Sequence, residues 1–305
     1  MNSEKIEMRF GNRAVLYAIL AAALYALSAP LSKLLLNSVS VTMMAAFLYL
    51  GAGFGMLIIG FTGKFTGKEN QNENITRKDL PYVFAMVILD IMAPIFLMLG
   101  ISNTTAANAS LLNNFEIVAT SVIALMIFHE TISKRLRIAI ALVTISSMML
   151  SFEDISSLSF SIGSLFILLA CICWGFENNC TRMLANKNPL RIVVIKGLCS
   201  GAGSFLIANI VGESMPKARY IILTMLLGFV AYGLSIFFYV SAQRYIGAAK
   251  TSTYYAIAPF IGVLLSFIIL REIPGKIFFV AMGIMLVGTY LVREKTLTVK
   301  DHVER

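Results

Sequence analysis

Residues 106–134, "AANASLLNNFEIVATSVIALMIFHETISK", align without a gap on residues 248–276, "AAKTSTYYAIAPFIGVLLSFIILREIPGK", at an offset of 142 positions. Ala106, Ala107, Glu130 and Lys134 fall on Ala248, Ala249, Glu272 and Lys276. Nearer the N-terminus, "GAG" at 51–53 falls on "GAG" at 201–203, and "YAL" at 25–27 falls near "WGF" at 174–176. The chain therefore reads as two copies of one unit, and composition says what kind of unit it is.

Of the 305 residues, 58% are hydrophobic and 13% charged, with a mean hydropathy of +0.82. Soluble domains carry about 45–50% apolar and about 25% charged residues. The apolar excess recurs along the whole chain in runs long enough to cross a bilayer, which takes about 20 residues. Ten helices are expected, at 13–35, 40–62, 80–99, 104–128, 135–151, 160–184, 190–211, 219–241, 246–270 and 275–293. The fold class is an all-α membrane protein of ten transmembrane helices in two inverted five-helix repeats. A repeat with an odd number of crossings must re-enter the membrane upside down, a pattern typical of secondary transporters. The expected divisions are a cytoplasmic N-terminal segment (1–12), a first repeat (13–151), a second repeat (160–293) and a cytoplasmic tail (294–305). About a dozen polar residues followed by a full-length span without a small-residue cleavage site read as a retained first helix.

The net charge of +9 does not require nucleic acid. With the N-terminus inside, 19 of the 25 Lys and Arg lie on the cytoplasmic side, five lie outside, and Lys196 lies within a span. That asymmetry puts both termini in the cytoplasm.

A charge at the bilayer centre costs about 2.5–3.5 kcal/mol on insertion scales, so each deep acid needs a reason to be there. Asp90, Glu116 and Glu177 are the deep ones. Asn113, Glu116 and Thr120 fall on one helical face, and Glu116 reads either as a cavity carboxylate for a cationic group or a proton, or as hydrogen-bonded packing. Trp174, Glu177, Asn178 and Thr181 form a similar face. Lys196 enters from the same side, about 10 Å deep at about 1.5 Å per residue. Glu177 and Lys196 are thus expected at comparable depth, either as a structural ion pair or with Glu177 in a binding role. Asp90 precedes Pro94 by one helical turn, so the proline leaves its carbonyl without the usual donor and marks a gate or a bend. Pro30 and Pro259 also sit inside spans, and Pro259 follows Ala258, the repeat counterpart of Glu116.

Glycines 51/55 and 197/201 have the spacing of close helix contacts, expected within the protein, with weak homodimerisation as the second reading. The four cysteines read as small buried hydrophobes. Cys171 and Cys173 point to different helix faces without a histidine, so no metal site is expected. The two histidines, His129 and His302, cannot build a triad, and there is no P-loop or GxSxG motif. No enzyme activity and no cofactor are expected.

The blocks "LYALSAPLSKLLL", "PIFLMLGI", "NNFE" and "CWGFENNCTR", the "W-G" pair, and an acid ending helices 4 and 9 (Glu130, Glu272) resemble the EamA family of the drug/metabolite transporter superfamily over residues 13–293. The resemblance implies a bacterial plasma-membrane carrier, commonly an exporter of amino acids, other metabolites or drugs, working by alternating access. It implies a cavity lined by helices 1, 3, 4, 6, 8 and 9, and with it Tyr25, Asp90, Asn113, Glu116, Trp174, Glu177, Asn178, Tyr232 and Tyr254 as candidate substrate contacts. Glu116 is the candidate proton-coupling residue. Many relatives have a proline after the helix-4 acid where this chain has Ile117, which puts symmetric gating by the two halves in doubt. The expected partners are a small-molecule substrate, the lipid bilayer and protons. The alternatives are efflux of lipophilic cations and, from another class, a non-transporting scaffold or intramembrane enzyme.

Overall fold

The computed structural model describes residues 2–61, 75–128, 133–154, 159–184, 187–246, 251 and 254–292, and these are almost wholly helical. Helix α1 (Asn2–Ala26) is followed after Leu27 by α2 (Ser28–Leu35). Pro30 lies in the first turn of α2, where a missing N–H is tolerated. Then come α3 (Val41–Phe61) and α4 (Leu80–Asn103), which runs on through Pro94 without a break. The expected fourth helix is two pieces, α5 (Ala106–Leu112) and α6 (Phe115–Phe128), joined by a turn at 113–114. Next are α7 (Lys134–Ser151), a short antiparallel ladder of β1 (Phe152–Asp154) and β2 (Ser159–Phe160), and α8 (Ile162–Arg182).

The seventh and eighth segments each contain a π-helical turn. Lys196–Ser200 joins α9 (Pro189–Ile195) to α10 (Gly201–Ile210), and Phe229–Leu234 joins α11 (Ala218–Gly228) to α12 (Ser235–Ile246). A second turn, at 256–257, precedes α13 (Ala258–Leu270), and α14 (Lys276–Val292) closes the described chain. Glu130, Ala248, Ala249 and the tail at 294–305 lie outside the described residues.

Seven of these helical stretches are long and apolar enough to cross a membrane, and Ala258–Leu270 and Lys276–Leu291 are shorter apolar helices. Phe84 and Met126 are each 69% exposed and Ile210 84%, which suits a surface facing lipid rather than water. The protein is a multi-pass membrane protein.

Lipid gives little hydrophobic drive for one helix to join another, so close contact depends on small residues. A Cβ on Gly53 would lie 2.7 Å from the Leu198 nitrogen and 2.8 Å from the Gly197 carbonyl carbon. Gly51 lies against the Met225 backbone, Gly55 against the Phe229 ring, and a Cβ on Gly201 would come 2.7 Å from the Leu50 nitrogen. Both glycine-rich faces therefore serve contacts inside one chain, between α3 and the segments carrying the two π turns.

The major packing pairs join the first half of the chain to the second. They are α4 on α8, α1 on α12, α6 on α8, α3 on α10 and α11, α5 on α13, and α7 on α14.

Charged side chains bind helix ends together at Glu213, Glu272 and Lys33. Gly212, at φ +80°, ends α10 with bonds from Gly212 N–H to Asn209 and from Glu213 N–H to Ala208. That cap delivers the Glu213 carboxylate to the start of α3, where it accepts from Ser40 Oγ (2.7 Å), Thr42 N–H (3.0 Å) and Met43 N–H (2.8 Å). Glu272 likewise accepts the Ala106 and Ala107 N–H groups of α5 at 2.8 Å each. Lys33 Nζ donates to the carbonyls of Ile101 (2.5 Å) and Thr104 (2.7 Å) at the end of α4. Partial burial alone would raise the Glu213 pKa, but these donors outweigh it and hold the group below the usual range. A depressed acid stabilises the fold fully above its unfolded pKa, about 4.3, and that contribution is lost as pH falls through the folded value. Thermal unfolding followed in detergent from pH 7 to pH 3.5 should therefore show a stability loss that Glu213→Gln removes. An identical pH profile in both proteins defeats the assignment.

Candidate functional site

Lys196 opens the π turn of the seventh segment, and it meets two acids from two other helices. Its Nζ lies 2.9 Å from Glu177 Oε1 on α8 and 3.3 Å from Asp90 Oδ2 on α4. Thr181 Oγ1 also donates to Glu177 Oε1 through a short contact one helical turn along α8. Tyr49 on α3 donates to Asp90 Oδ1 at 3.2 Å. Asp90 is 0% exposed and Glu177 2%. Its Oδ2 is at ion-pair distance from Lys196 but outside hydrogen-bond alignment, so that atom has no hydrogen-bond donor. Three helical segments thus meet at one ammonium, α3 joins them through Tyr49 and Asp90, and the wide π turn starts at Lys196. π-Bulges recur at functional sites because they re-aim side chains within an otherwise regular helix.

Glu116 sits apart from this triad. The turn at 113–114 places it in the first turn of α6, where a carboxylate suits the positive end of the helix. Asn178 Nδ2 donates to Glu116 Oε1 at 2.7 Å and reaches Thr120 Oγ1 at 3.3 Å. Asn179 Nδ2 donates to the Thr120 carbonyl at 3.1 Å and to the Gly175 carbonyl at 2.8 Å. Gly175, next to Trp174, is what lets these amides reach α6: a Cβ there would lie 2.7 Å from that of Ala119 and 2.9 Å from the Thr120 nitrogen. Unlike Asp90 and Glu177, Glu116 is partly exposed, and among the described residues it makes no ion pair.

A run of tyrosines flanks both groups. Ring centroids are 4.9 Å apart for Tyr239 and Tyr255, 5.9 Å for Tyr255 and Tyr25, 5.8 Å for Tyr25 and Tyr232, and 5.7 Å for Tyr232 and Tyr49. Tyr232 lies in the second π turn and exchanges a 2.8 Å hydrogen bond with Ser28, just past the bend at Leu27. Trp174 is buried in the same apolar cluster as Tyr49 and Tyr232. The interruptions in the first, fourth, seventh, eighth and ninth segments therefore all carry or adjoin a residue of this constellation.

Of the residues expected from sequence, Glu116 and Asn178 form one contact, Asp90 and Glu177 share Lys196, and Tyr25 and Tyr232 meet edge to face. Asn113 is in the turn itself rather than on the helical face of Glu116, and its buried Oδ1 has no hydrogen-bond donor. Tyr254 is half-buried, while its neighbour Tyr255 supplies the ring contacts. Pro259 falls in the first turn of α13 and belongs to that break. Tyr255, beside Tyr254 and just before Pro259, is legible in the sequence as a cavity residue, whereas Tyr49 and Tyr239 are not singled out there. Tyr49 carried a usable signal, since it lies one helical turn before Gly53, on the stretch that had to approach another backbone.

The sequence model described as the EamA-like transporter family matches the chain twice, over residues 12–152 and 161–293. An uncharacterized transporter of Methanothermobacter thermautotrophicus is 27% identical over 90% of this chain and 84% of its own length. An uncharacterized transporter of Bacillus subtilis, YyaM, is 22% identical over 62% of this chain and 64% of its own. A solved crystal structure covers 94% of this chain and 99% of its own with a TM-score of 0.66 at 14% identity, a likeness of fold alone.

Proposed function

The chain belongs to the EamA-like transporter family, and from that premise we propose that it is a secondary carrier exporting a small polar or amphipathic metabolite by alternating access. It works in a bacterial plasma membrane with both termini in the cytoplasm. The ten crossings are the seven long spans together with Lys134–Ser151, the ninth segment ending at Leu270, and the last helix. The two halves are inverted copies. Exchanging segments 1 to 5 for 6 to 10 turns the α4–α8 pair into the α12–α1 pair, and α6–α8 into α13–α1, while α5–α13 and α7–α14 map on themselves. The breaks at 113–114 and 256–257 fall within one residue of the repeat offset, which favours matched bending in both halves despite Ile117.

The observation that carries the reading is the contrast among the three deep acids. Asp90 and Glu177 are sealed and share a counter-charge, which suits a brace between helices. Glu116 is partly accessible, sits at a helix break and has a neutral amide as its partner, which suits a group that meets substrate or a proton in turn. Broken helices near the midplane are where carriers bind solutes. Reconstituted in liposomes, the protein should move substrate down a gradient. Glu116→Gln should reduce flux by about 10- to 100-fold, since losing a charge-assisted contact made at each cycle removes about 1.5–3 kcal/mol. Circular dichroism and size-exclusion behaviour should stay unchanged. Normal flux by Glu116→Gln at every pH would make the carboxylate structural.

A further inference from the structure

The described interior at this level holds three carboxylates and one ammonium, and that ammonium is already in contact with two of the carboxylates. Among the described residues, no further basic side chain is placed to receive a substrate carboxylate there. The helix ends at the breaks point the same way. At the N-terminus of α6, the Glu116 and Ile117 N–H groups bond back to the carbonyls of Asn113 and Asn114 at 3.1 Å each. At the N-terminus of α13, Pro259 has no N–H, and Phe260 and Ile261 both donate to the Ile257 carbonyl at 3.1 Å. Neither terminus presents an open cradle for an anion.

The C-terminal end of α5 is the negative pole of its half-helix, and the carbonyls of Leu112 and Asn113 meet the weak thiol donor of Cys171 at 3.7 and 3.9 Å. Of the buried side-chain oxygens without a hydrogen-bond partner, Asp90 Oδ2 lies 3.3 Å from the Lys196 ammonium, whereas the Oδ1 of Asn113, an acceptor, has no donor. What the Glu116 and Asn113 end of this site lacks, among the described residues, is a donor carrying positive charge. Beside it runs the row of tyrosines Tyr25, Tyr49, Tyr232, Tyr239 and Tyr255, whose ring faces attract cations and whose bodies accept apolar groups.

We propose that the solute is an organic cation, a protonated amine or quaternary ammonium with an apolar or aromatic flank. Its charged head lies at Glu116 and the unpaired Oδ1 of Asn113 in the 113–114 turn, and its flank lies on the tyrosines. This rests on the carrier reading above and narrows it to one chemical class.

Trp174 is the one tryptophan in the chain, so its emission reports on this site without labelling. Purified full-length protein is titrated with phenethylammonium, phenylacetate and phenylalanine, which share a ring and differ in charge. Phenethylammonium should change the emission saturably, phenylalanine should bind at least about 10-fold more weakly, and phenylacetate should not bind. Glu116→Gln should weaken phenethylammonium at least about 10-fold, and Glu116→Asp should recover most of that loss. Calorimetry on the same samples checks binding independently of fluorescence. Equal binding of phenylalanine or phenylacetate, unchanged binding by Glu116→Gln, or no binding of phenethylammonium each overturns the proposal. If liposomes still carry a metabolite through Glu116 in any of those cases, the carrier reading stands while the cation class falls. Absence of flux for every solute overturns the carrier reading itself.

Discussion

Lys196→Met is expected to destabilise the protein by about 3–5 kcal/mol and to abolish flux. Removing one partner of a buried ion pair leaves the other charge desolvated and uncompensated. Here two acids lose their counter-charge together, because Glu177 and Asp90 both depend on the same Nζ. The thermal midpoint in detergent, read by Trp174 emission, should fall well below that of the parent. The informative comparison is the triple variant Lys196→Met/Glu177→Gln/Asp90→Asn, which removes all three charges and keeps the side-chain volumes. A buried ion network replaced as a whole by neutral groups is often nearly neutral for stability, so the midpoint should recover. If flux recovers too, the triad is a brace and nothing more. If stability returns without flux, the charges take part in the cycle. A Lys196→Met protein with the parental midpoint defeats the buried-triad description.

The triad also shows what could be read from the chain and what could not. Counting residues from the membrane surface put Glu177 and Lys196 at one depth, because depth along a helix is a matter of rise per residue. Asp90 was not assigned to the same ammonium, because that depends on the rotation of α4 against α8 and on the π turn that begins at Lys196. A π turn adds one residue to a helical turn and leaves no distinctive composition. The break before α13 was legible in Pro259, whereas its counterpart at 113–114 has no proline. Two adjacent asparagines, whose short amides compete with the helix for backbone bonds, do that work there. Asn114 Nδ2 and N–H both turn back to the Leu111 carbonyl, at 3.3 and 3.2 Å. The tyrosine run was only partly legible, since an aromatic in an apolar span packs more often than it binds, and periodicity alone cannot separate the two. The "W-G" pair is visible as a motif, but its physical reason is the contact between Gly175 and Ala119, which lie on different helices.

The crossing of α3 with the seventh segment gives the second large effect. Gly53 and Gly197 meet backbone to backbone, so a side chain at either position opposes main-chain atoms that cannot rotate away. Overpacking a core commonly costs about 1–3 kcal/mol, and Gly53→Leu should lie at or beyond the top of that range, because whole helices must separate. Separation would also act on the site, since α3 carries Tyr49 and the facing π turn carries Lys196, the two residues that hold Asp90 from opposite sides. Gly53→Leu is therefore expected to lower both the thermal midpoint and flux, with Gly197→Leu behaving alike and the pair of substitutions no worse than additive. Gly283→Ala in α14 is the control: a Cβ there meets nothing within 4 Å. Replacing that helical glycine should leave stability unchanged or raise it by up to about 1 kcal/mol. If Gly53→Leu keeps the parental midpoint while Gly283→Ala does not, the close contact lies elsewhere, and the glycines of α3 are not what brings Tyr49 to Asp90.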